Sequence, residues 1–84
     1  MKPIRLTKHA QFQADIRGAT VQEVEESIRN GAQEHAKNGR IGYRMNFAYN
    51  NKWQDTFYPI KQVMPIVVEE ETEIVVITVY TFYF

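Results

Sequence analysis

The last eleven residues, Ile74 to Phe84, constrain the fold more than any other part of the chain. Each of them is aliphatic, aromatic or threonine, and such side chains fit the pleated surface of a β-strand. A strand with apolar residues on both faces must be covered on both faces, or lie at the centre of a sheet. The sequence therefore predicts that this stretch is the central strand on which the rest of the domain packs.

Length and composition limit the classes of protein to consider. The 84 residues predict one domain, residues 1–84, with a small core. The chain has no cysteine, which excludes disulfides, thiolate metal sites and cysteine catalysis. The N-terminus lacks the apolar run of a secretory signal, and the apolar C-terminal run is shorter than the ~18–20 residues of a membrane helix. We therefore expect a soluble, cytoplasmic protein that does not enter a membrane.

The net charge of zero conceals an uneven distribution along the chain. Residues 1–52 carry nine Lys and Arg against five acids, whereas residues 53–84 carry one Lys against five acids. A polar molecule of this kind can present a basic face to a polyanion such as RNA while staying soluble. Ordinary surface charge is the alternative interpretation.

The first half of the chain predicts two short helices. The first runs from Lys8 to Arg17, with Thr7 as its N-cap and Gly18 as its stop. The second runs from Val21 to Asn30 and ends at Gly31. Their predicted apolar stripes are His9, Phe12 and Ile16 in the first helix, and Val21, Val24 and Ile28 in the second. The motif that opens the second helix is a capping box formed by Thr20 and Glu23.

The second half predicts strands. Residues 32–39 are polar and predict a loop, after which apolar residues alternate from Ile41 to Tyr49. Asn50-Asn51 predicts a turn, and residues 53–58 a returning strand that Pro59 breaks. Residues 61–69 predict a further strand, in which Pro65 requires an edge position or a bulge. The predicted fold class is α+β, with a helical hairpin packed on an antiparallel sheet of three or four strands.

Basic and aromatic residues are the candidates for chemistry, because the chain contains no strong catalytic or phosphate-binding motif. Metal-independent cleavage of RNA needs a base, an acid and cations that stabilise the phosphorane. Two histidines are too few to predict a metal site, and nothing in the sequence calls for a cofactor. The candidate catalytic residues are His9, Arg44, Lys61 and Tyr80, and the candidate RNA-binding residues are Arg17, Lys37 and Arg40.

Each candidate also has a structural interpretation. Arg44 can be part of a solvated sheet surface, and Lys61 can be a strand-edge lysine that discourages aggregation. His9 shares a helix face with two apolar residues, and a histidine in such a position is more often packed than catalytic. Tyr80 can stack on a base or belong to the core.

Three stretches resemble a known family. They are Leu6-Thr-Lys-His-Ala10, then Arg17-Gly18-Ala-Thr with the helix that follows, and the closing Ile74-Val-Val-Ile-Thr-Val-Tyr80. Together they resemble a bacterial family of unknown function related to the RelE/ParE toxin superfamily, with the BrnT ribonuclease toxins as near relatives. The resemblance covers essentially the whole chain. The N-terminal motif of the family is Leu-Thr-x-His-Ala-x-x-Arg-x-x-x-Arg-Gly, and it aligns with residues 6–18. Its histidine corresponds to His9 and its second arginine to Arg17, but its first arginine falls on Gln13.

The resemblance implies a RelE-like fold and a toxin that cleaves mRNA without a metal, either free or on the ribosome, with an antitoxin protein as partner. Arg44, Lys61 and Tyr80 are the positions here that can correspond to the cations and aromatic residues that act on RNA in this superfamily. A non-catalytic interaction module is the competing prediction, because the net charge is zero and the motif arginine at position 13 is missing. Such a module would form a homodimer, or dock a partner, through the aromatic C-terminal strand.

Overall fold

The computed structural model describes residues 2–84, and its fold is α+β with two helices and a five-stranded mixed sheet. The strand order is β1-β5-β4-β3-β2, with β1 parallel to β5 and the remaining pairs antiparallel. Both helices have the predicted bounds. No helix in the described part of the chain is long and apolar enough to cross a membrane. The elements are β1 (Ile4–Leu6), α1 (Lys8–Arg17), α2 (Val21–Asn30), β2 (Ala32–His35), β3 (Ile41–Trp53), β4 (Thr56–Glu69) and β5 (Ile74–Tyr83).

The prediction that the C-terminal strand lies at the centre of the sheet is wrong. The central strand is β4, and β5 lies between β4 and the three-residue strand β1. Because β1 pairs only with Ile74–Val76, no strand in the described chain pairs with the rest of β5 on that side. The helices cover one face of β5, where Val76 and Val79 are fully buried, while aromatic residues on its other face stay exposed. Apolar residues on both faces thus do not place a strand at the centre of a sheet here.

The sheet has five strands, more than predicted, partly because residues 32–35 form a strand and not a loop. Strand β2 pairs with the start of β3 across a tight turn. Asn38 and Gly39 have φ angles of 62° and 72°, the positive values that a type I′ hairpin turn requires at both central positions. The Arg40 N–H donates to the Lys37 carbonyl at 3.3 Å and closes the turn. The Asn-Gly dipeptide was the sequence signal for this hairpin.

The turn between β3 and β4 also differs from the prediction. Asn50 lies within β3, at a shift in register, and the two turn residues are Gln54 and Asp55, with φ angles of 51° and 69°. The register passes from Ala48–Ile60 to Asn51–Tyr58, so two residues of β3 face Pro59 alone. This bulge accommodates a proline that lacks an N–H, and β4 continues through it without a break. An asparagine with positive φ fits a bulge as well as a turn.

Pro65 lies in the middle of β4, opposite Val79 of β5. The register between β4 and β5 shifts directly after it, between Ile66 and Val67. Ile60 and Phe84 exchange both backbone hydrogen bonds, so the even-numbered residues of β4 bond to β5 and the nitrogen of Pro65 faces β3. The β3–β4 ladder has no pair at this position, between Gly42–Ile66 and Met45–Val63, which is where the missing N–H of the proline falls. The prediction of an edge position or a bulge at Pro65 is therefore wrong: the proline lies in the central strand and interrupts its pairing with β3.

Helix α1 buries small residues and exposes large ones, contrary to its predicted stripe. Ala10 and Ala14 are buried, whereas 59% of Phe12 and 51% of Ile16 are exposed. Alanines at this interface let the helix approach β5 closely. In α2, the buried residues are Val24, Ser27 and Ile28, so two of the three predicted stripe residues are correct. His9 is exposed and is not a packed histidine.

The junction between the helices is fastened to the sheet by Lys61. Its Nζ lies 2.8 Å from Glu23 Oε1 and donates to the Gly18 carbonyl at 2.9 Å. The same Oε1 of Glu23 accepts the Thr20 N–H at 3.0 Å, which completes the predicted capping box. Lys61 is only 6% exposed. One lysine of the central strand therefore binds both the end of α1 and the start of α2.

Strand β5 holds the same junction. The hydroxyls of Thr81 and Tyr83 both donate to the Arg17 carbonyl, at 2.9 Å and 2.7 Å. The Tyr83 ring stacks on Trp53, with 4.8 Å between ring centroids. Gly18 has a φ of 81°, and a Cβ there would lie 2.5 Å from the Tyr83 hydroxyl. The glycine is therefore needed both for the left-handed cap and for this close approach.

We expect Lys61→Met to lower the free energy of unfolding by about 2–4 kcal/mol, because it leaves Glu23 and the Gly18 carbonyl without their partner. Urea denaturation measures the change. Lys52→Met, at an exposed lysine near the tip of the β3–β4 hairpin, is the matched control and should change stability by less than about 0.5 kcal/mol. Equal stabilities of the two variants would show that the lysine does not fasten the junction.

Burial raises the pKa of Tyr83 from 10.0 to about 12. The folded protein therefore keeps this proton at pH values where the unfolded chain has released it, and stability falls as pH rises from about 10 to 12. In Tyr83→Phe this part of the alkaline destabilisation should be absent. Urea midpoints at pH 9 and pH 11.5 measure it, with the exposed Tyr80→Phe as control. Identical alkaline losses in wild type and Tyr83→Phe would contradict the assignment.

Candidate nucleic-acid interface

The face of the sheet that points away from the helices is here called the open face. Lys61 and Val63 of β4 pair with Tyr83 and Thr81 of β5, and these residues point toward the helices. Side chains alternate along a strand, so the even-numbered positions between them point the other way. No helix or strand of the described chain covers that face.

Aromatic side chains form a row on the open face along β5. Tyr80 and Phe82 are each 42% exposed, and Phe84, directly after the strand, is 53% exposed. Successive members are two residues apart and hence about 7 Å apart along the strand. Exposed aromatic rings at regular spacing are what stacking platforms for single-stranded nucleic acids present to bases. The apolar character of residues 82–84 predicts that they pack on the helices or on a second copy of the protein, and Phe82 and Phe84 do not pack on the helices.

Two arginines lie over this aromatic row. The Arg17 Cζ is 5.1 Å from the centroid of the Tyr80 ring, and the Arg44 Cζ is 5.4 Å from that of Phe82. Arg17 reaches this position across the edge of β5, where its Nη1 donates to the Val79 carbonyl at 2.7 Å. The guanidinium therefore also caps part of an edge that carries no partner strand.

A chain of hydrogen bonds holds Arg44 in place on the open face. Its Nε donates to Glu34 at 3.1 Å and its Nη1 to Gln62 at 2.8 Å. Gln62 in turn donates to Asn46 at 2.8 Å. Glu34 lies in β2, Asn46 in β3 and Gln62 in β4, so side chains from three strands fix the orientation of the Arg44 guanidinium.

A pocket of about 300 Å³ opens beside this network, between the β2–β3 turn and β5. Lys37 and Arg40 are exposed, and within the described residues neither has an ion-pair partner. The pocket therefore combines two uncompensated cations with an aromatic ring. Its lining includes Lys37, Asn38 and Arg40 from the turn, Ile66 from β4, and Thr78 and Tyr80 from β5.

The structure brings together part of the predicted site. Lys61 points into the opposite layer, where it is buried in its ion pair with Glu23. His9 is exposed on α1 and makes no side-chain hydrogen bond with any described residue. The four candidate catalytic residues therefore do not form one cluster. The candidates that lie on the open face are Arg17, Lys37, Arg40, Arg44 and Tyr80.

Gln13, where the family motif has an arginine, lies one helical turn before Arg17. Its Oε1 is buried and has no hydrogen-bond partner among the described residues. An uncharged amide therefore occupies the position that the resemblance would assign to an arginine.

Several residues of the open face were not singled out by sequence reasoning. Gln62 and Asn46 orient Arg44, whose guanidinium lies over the Phe82 ring. The available signal was the polar or small even-numbered series of β3, which places Arg44 and Asn46 on one face. In the described chain no group of three His, Cys, Asp or Glu side chains is placed to hold a metal ion.

The chain matches no protein-family model, no curated protein and no solved structure. The resemblance to the RelE/ParE superfamily therefore stays a prediction, and the evidence for a function is the geometry of the open face.

Proposed function

We propose that the open face binds single-stranded RNA and that the protein is a toxin-type, metal-independent mRNA endoribonuclease. The observation that carries the proposal is the exposed row Tyr80, Phe82 and Phe84 with Arg17 and Arg44 held over its rings. Bases stack on aromatic faces whatever their sequence, and the two arginines add cation–π contacts.

The charge distribution in space supports an anionic ligand in spite of the zero net charge. Two of the acids in the β4–β5 turn are already neutralised, since Lys2 pairs with Glu69 at 3.0 Å and Arg5 with Glu73 at 3.0 Å. By contrast, Lys37 and Arg40 lack such partners in the described chain. Phosphate groups supply most of the affinity in sequence-independent RNA binding, so free cations beside a stacking row favour RNA as the ligand.

The chemistry of cleavage can be assigned to residues of this face. Attack of a ribose 2′-hydroxyl on the adjacent phosphate needs removal of its proton, stabilisation of the added negative charge and a proton for the leaving 5′-oxygen. The Tyr80 hydroxyl can donate the proton to the leaving 5′-oxygen, solvent water can accept the proton of the 2′-hydroxyl, and the phenolate can recover its proton from that water. Lys37 and Arg40 can neutralise the phosphorane. Lys61 has no part in this version of the mechanism, because it lies on the other side of the sheet.

The biological setting that we propose follows the family resemblance. A cytoplasmic toxin that acts on mRNA, free or on the ribosome, needs an antitoxin protein that blocks it. The exposed aromatic row and the adjacent pocket form the surface that such an antitoxin would have to cover.

A non-catalytic interaction module is the second candidate. It is favoured by the unpaired edge of β5 beyond Val76 and by the exposure of Phe82 and Phe84 beside that edge. Antiparallel pairing of β5 with β5 of a second copy would extend the sheet into a homodimer. Light scattering decides between the candidates: a monomer over a wide concentration range argues against the module.

We expect Tyr80→Ala to weaken binding of a short single-stranded RNA about 5- to 150-fold, the loss of ~1–3 kcal/mol for one stacked base. Fluorescence anisotropy with a labelled oligonucleotide measures Kd. Phe12→Ala is the matched control, because Phe12 is an exposed aromatic residue on a helix, away from the open face. An equal effect of the two substitutions, or none, would refute binding at the aromatic row.

Catalysis is tested separately from binding. RNA cleavage by the wild-type protein should persist in EDTA, and induced expression in a bacterial host should arrest growth. RNA that binds but stays intact, with and without ribosomes, would leave a binding protein and eliminate the nuclease.

A further inference from the structure

We propose that the pocket beside the β2–β3 turn is a binding site for one nucleotide, with its phosphate at Lys37 and Arg40 and its base against Tyr80. This inference rests on the proposed RNA binding and specifies where on the open face a single nucleotide is held. The ligand chemistry is that of a nucleoside monophosphate, either free or as one unit of an RNA strand.

The cations of the pocket are available for a phosphate. Of the basic residues on the open face, Arg44 is engaged by Glu34 and Gln62, and Arg17 by the Val79 carbonyl. Lys37 and Arg40 have no comparable bonds within the described chain and are both exposed. An arginine and a lysine at one site match the needs of a phosphate, with planar donors from one and a compact charge from the other.

The turn holds the backbone of these two residues in a fixed geometry. Lys37 and Arg40 flank Asn38 and Gly39, and the hydrogen bond from the Arg40 N–H to the Lys37 carbonyl closes the turn between them. A second bond joins the Ala36 N–H to the Arg40 carbonyl at 2.9 Å. Because the backbone is fixed on both sides, only the side chains have to be ordered when an anion binds, which lowers the entropic cost of binding.

The opposite wall of the pocket suits a base. Tyr80 lines the pocket, and the Arg17 guanidinium lies over its ring from the edge of β5. Ile66 of the central strand forms an apolar floor, and the Thr78 hydroxyl and Asn38 amide supply polar groups for base or ribose. The turn that carries the two cations leads into β3, which lies two strand spacings, about 9.5 Å, from the β5 strand that carries Tyr80.

The volume of the pocket limits the ligand to one nucleotide. About 300 Å³ is at the lower end of the range for small-molecule sites. Tyr80 belongs both to the pocket lining and to the aromatic row, so a strand bound at Tyr80 can continue past Phe82 and Phe84. The pocket therefore fixes one nucleotide, and the row stacks its neighbours in the strand.

The experiment is a titration of ¹⁵N-labelled protein, followed by amide resonances, with AMP, adenosine, inorganic phosphate and a short single-stranded RNA. We expect AMP and the RNA to shift resonances at residues 36–40, 66 and 78–80. Adenosine should bind at least tenfold more weakly than AMP, and phosphate alone should shift only residues 36–40. The double variant Lys37→Gln/Arg40→Gln should weaken AMP binding at least tenfold.

The control variant is Lys8→Gln/Lys52→Gln, which removes the same charge from two exposed lysines outside the pocket and should leave AMP binding unchanged. The spectra of both variants also report whether the fold is intact. Equal weakening by both double variants, or AMP shifts only outside the pocket, would overturn the site. If RNA shifts the open face but AMP does not shift the pocket, only this inference fails. If neither ligand shifts the open face, the proposed RNA binding fails with it.

Discussion

The ion pair of Lys61 with Glu23, shared with the Gly18 carbonyl, is the interaction on which the arrangement of the two layers depends. It joins three elements at one buried cation, because Gly18 ends α1, Glu23 belongs to the capping box of α2, and Lys61 lies in the central strand. A buried charge is costly unless it is paired and hydrogen-bonded, and here both conditions are met. The hydroxyls of Thr81 and Tyr83 hold the same junction from β5.

This attachment explains why the molecule has an uncovered face. Both helices are held on one side of the sheet, and the alanines of α1 bring that helix close to β5. The other side keeps its aromatic row and its cations in solvent. Strand β5 thus serves two layers: Val76 and Val79 pack under the helices, while Tyr80 and Phe82 face outward. The account of function depends on this division, since the residues that stabilise the fold and those offered for RNA binding lie on opposite faces.

Local signals in the sequence predicted local structure well. The bounds of both helices, their caps and the α+β class follow from Thr7, Gly18 and the Thr20–Glu23 capping box, whose hydrogen bonds are independent of the rest of the fold. Strand order could not be predicted in this way, because β5 meets the composition of a central strand but pairs with only three residues of β1. The role of Lys61 was equally inaccessible, since its partners are 38 and 43 positions away in the chain. For the open face, basic residues could be predicted as candidates, but their grouping around Tyr80 required the register of the sheet.

If the protein binds RNA as proposed, the RNA contacts the open face and not the helical layer. Photo-cross-linking of a 4-thiouridine-containing single-stranded RNA to the wild-type protein, followed by mass spectrometry of the cross-linked peptides, tests this placement. We expect cross-links at Tyr80 and Phe82, which disappear when unlabelled RNA is added in excess. Cross-links confined to α1, for example at the exposed Phe12, or no specific cross-link at all, would contradict it.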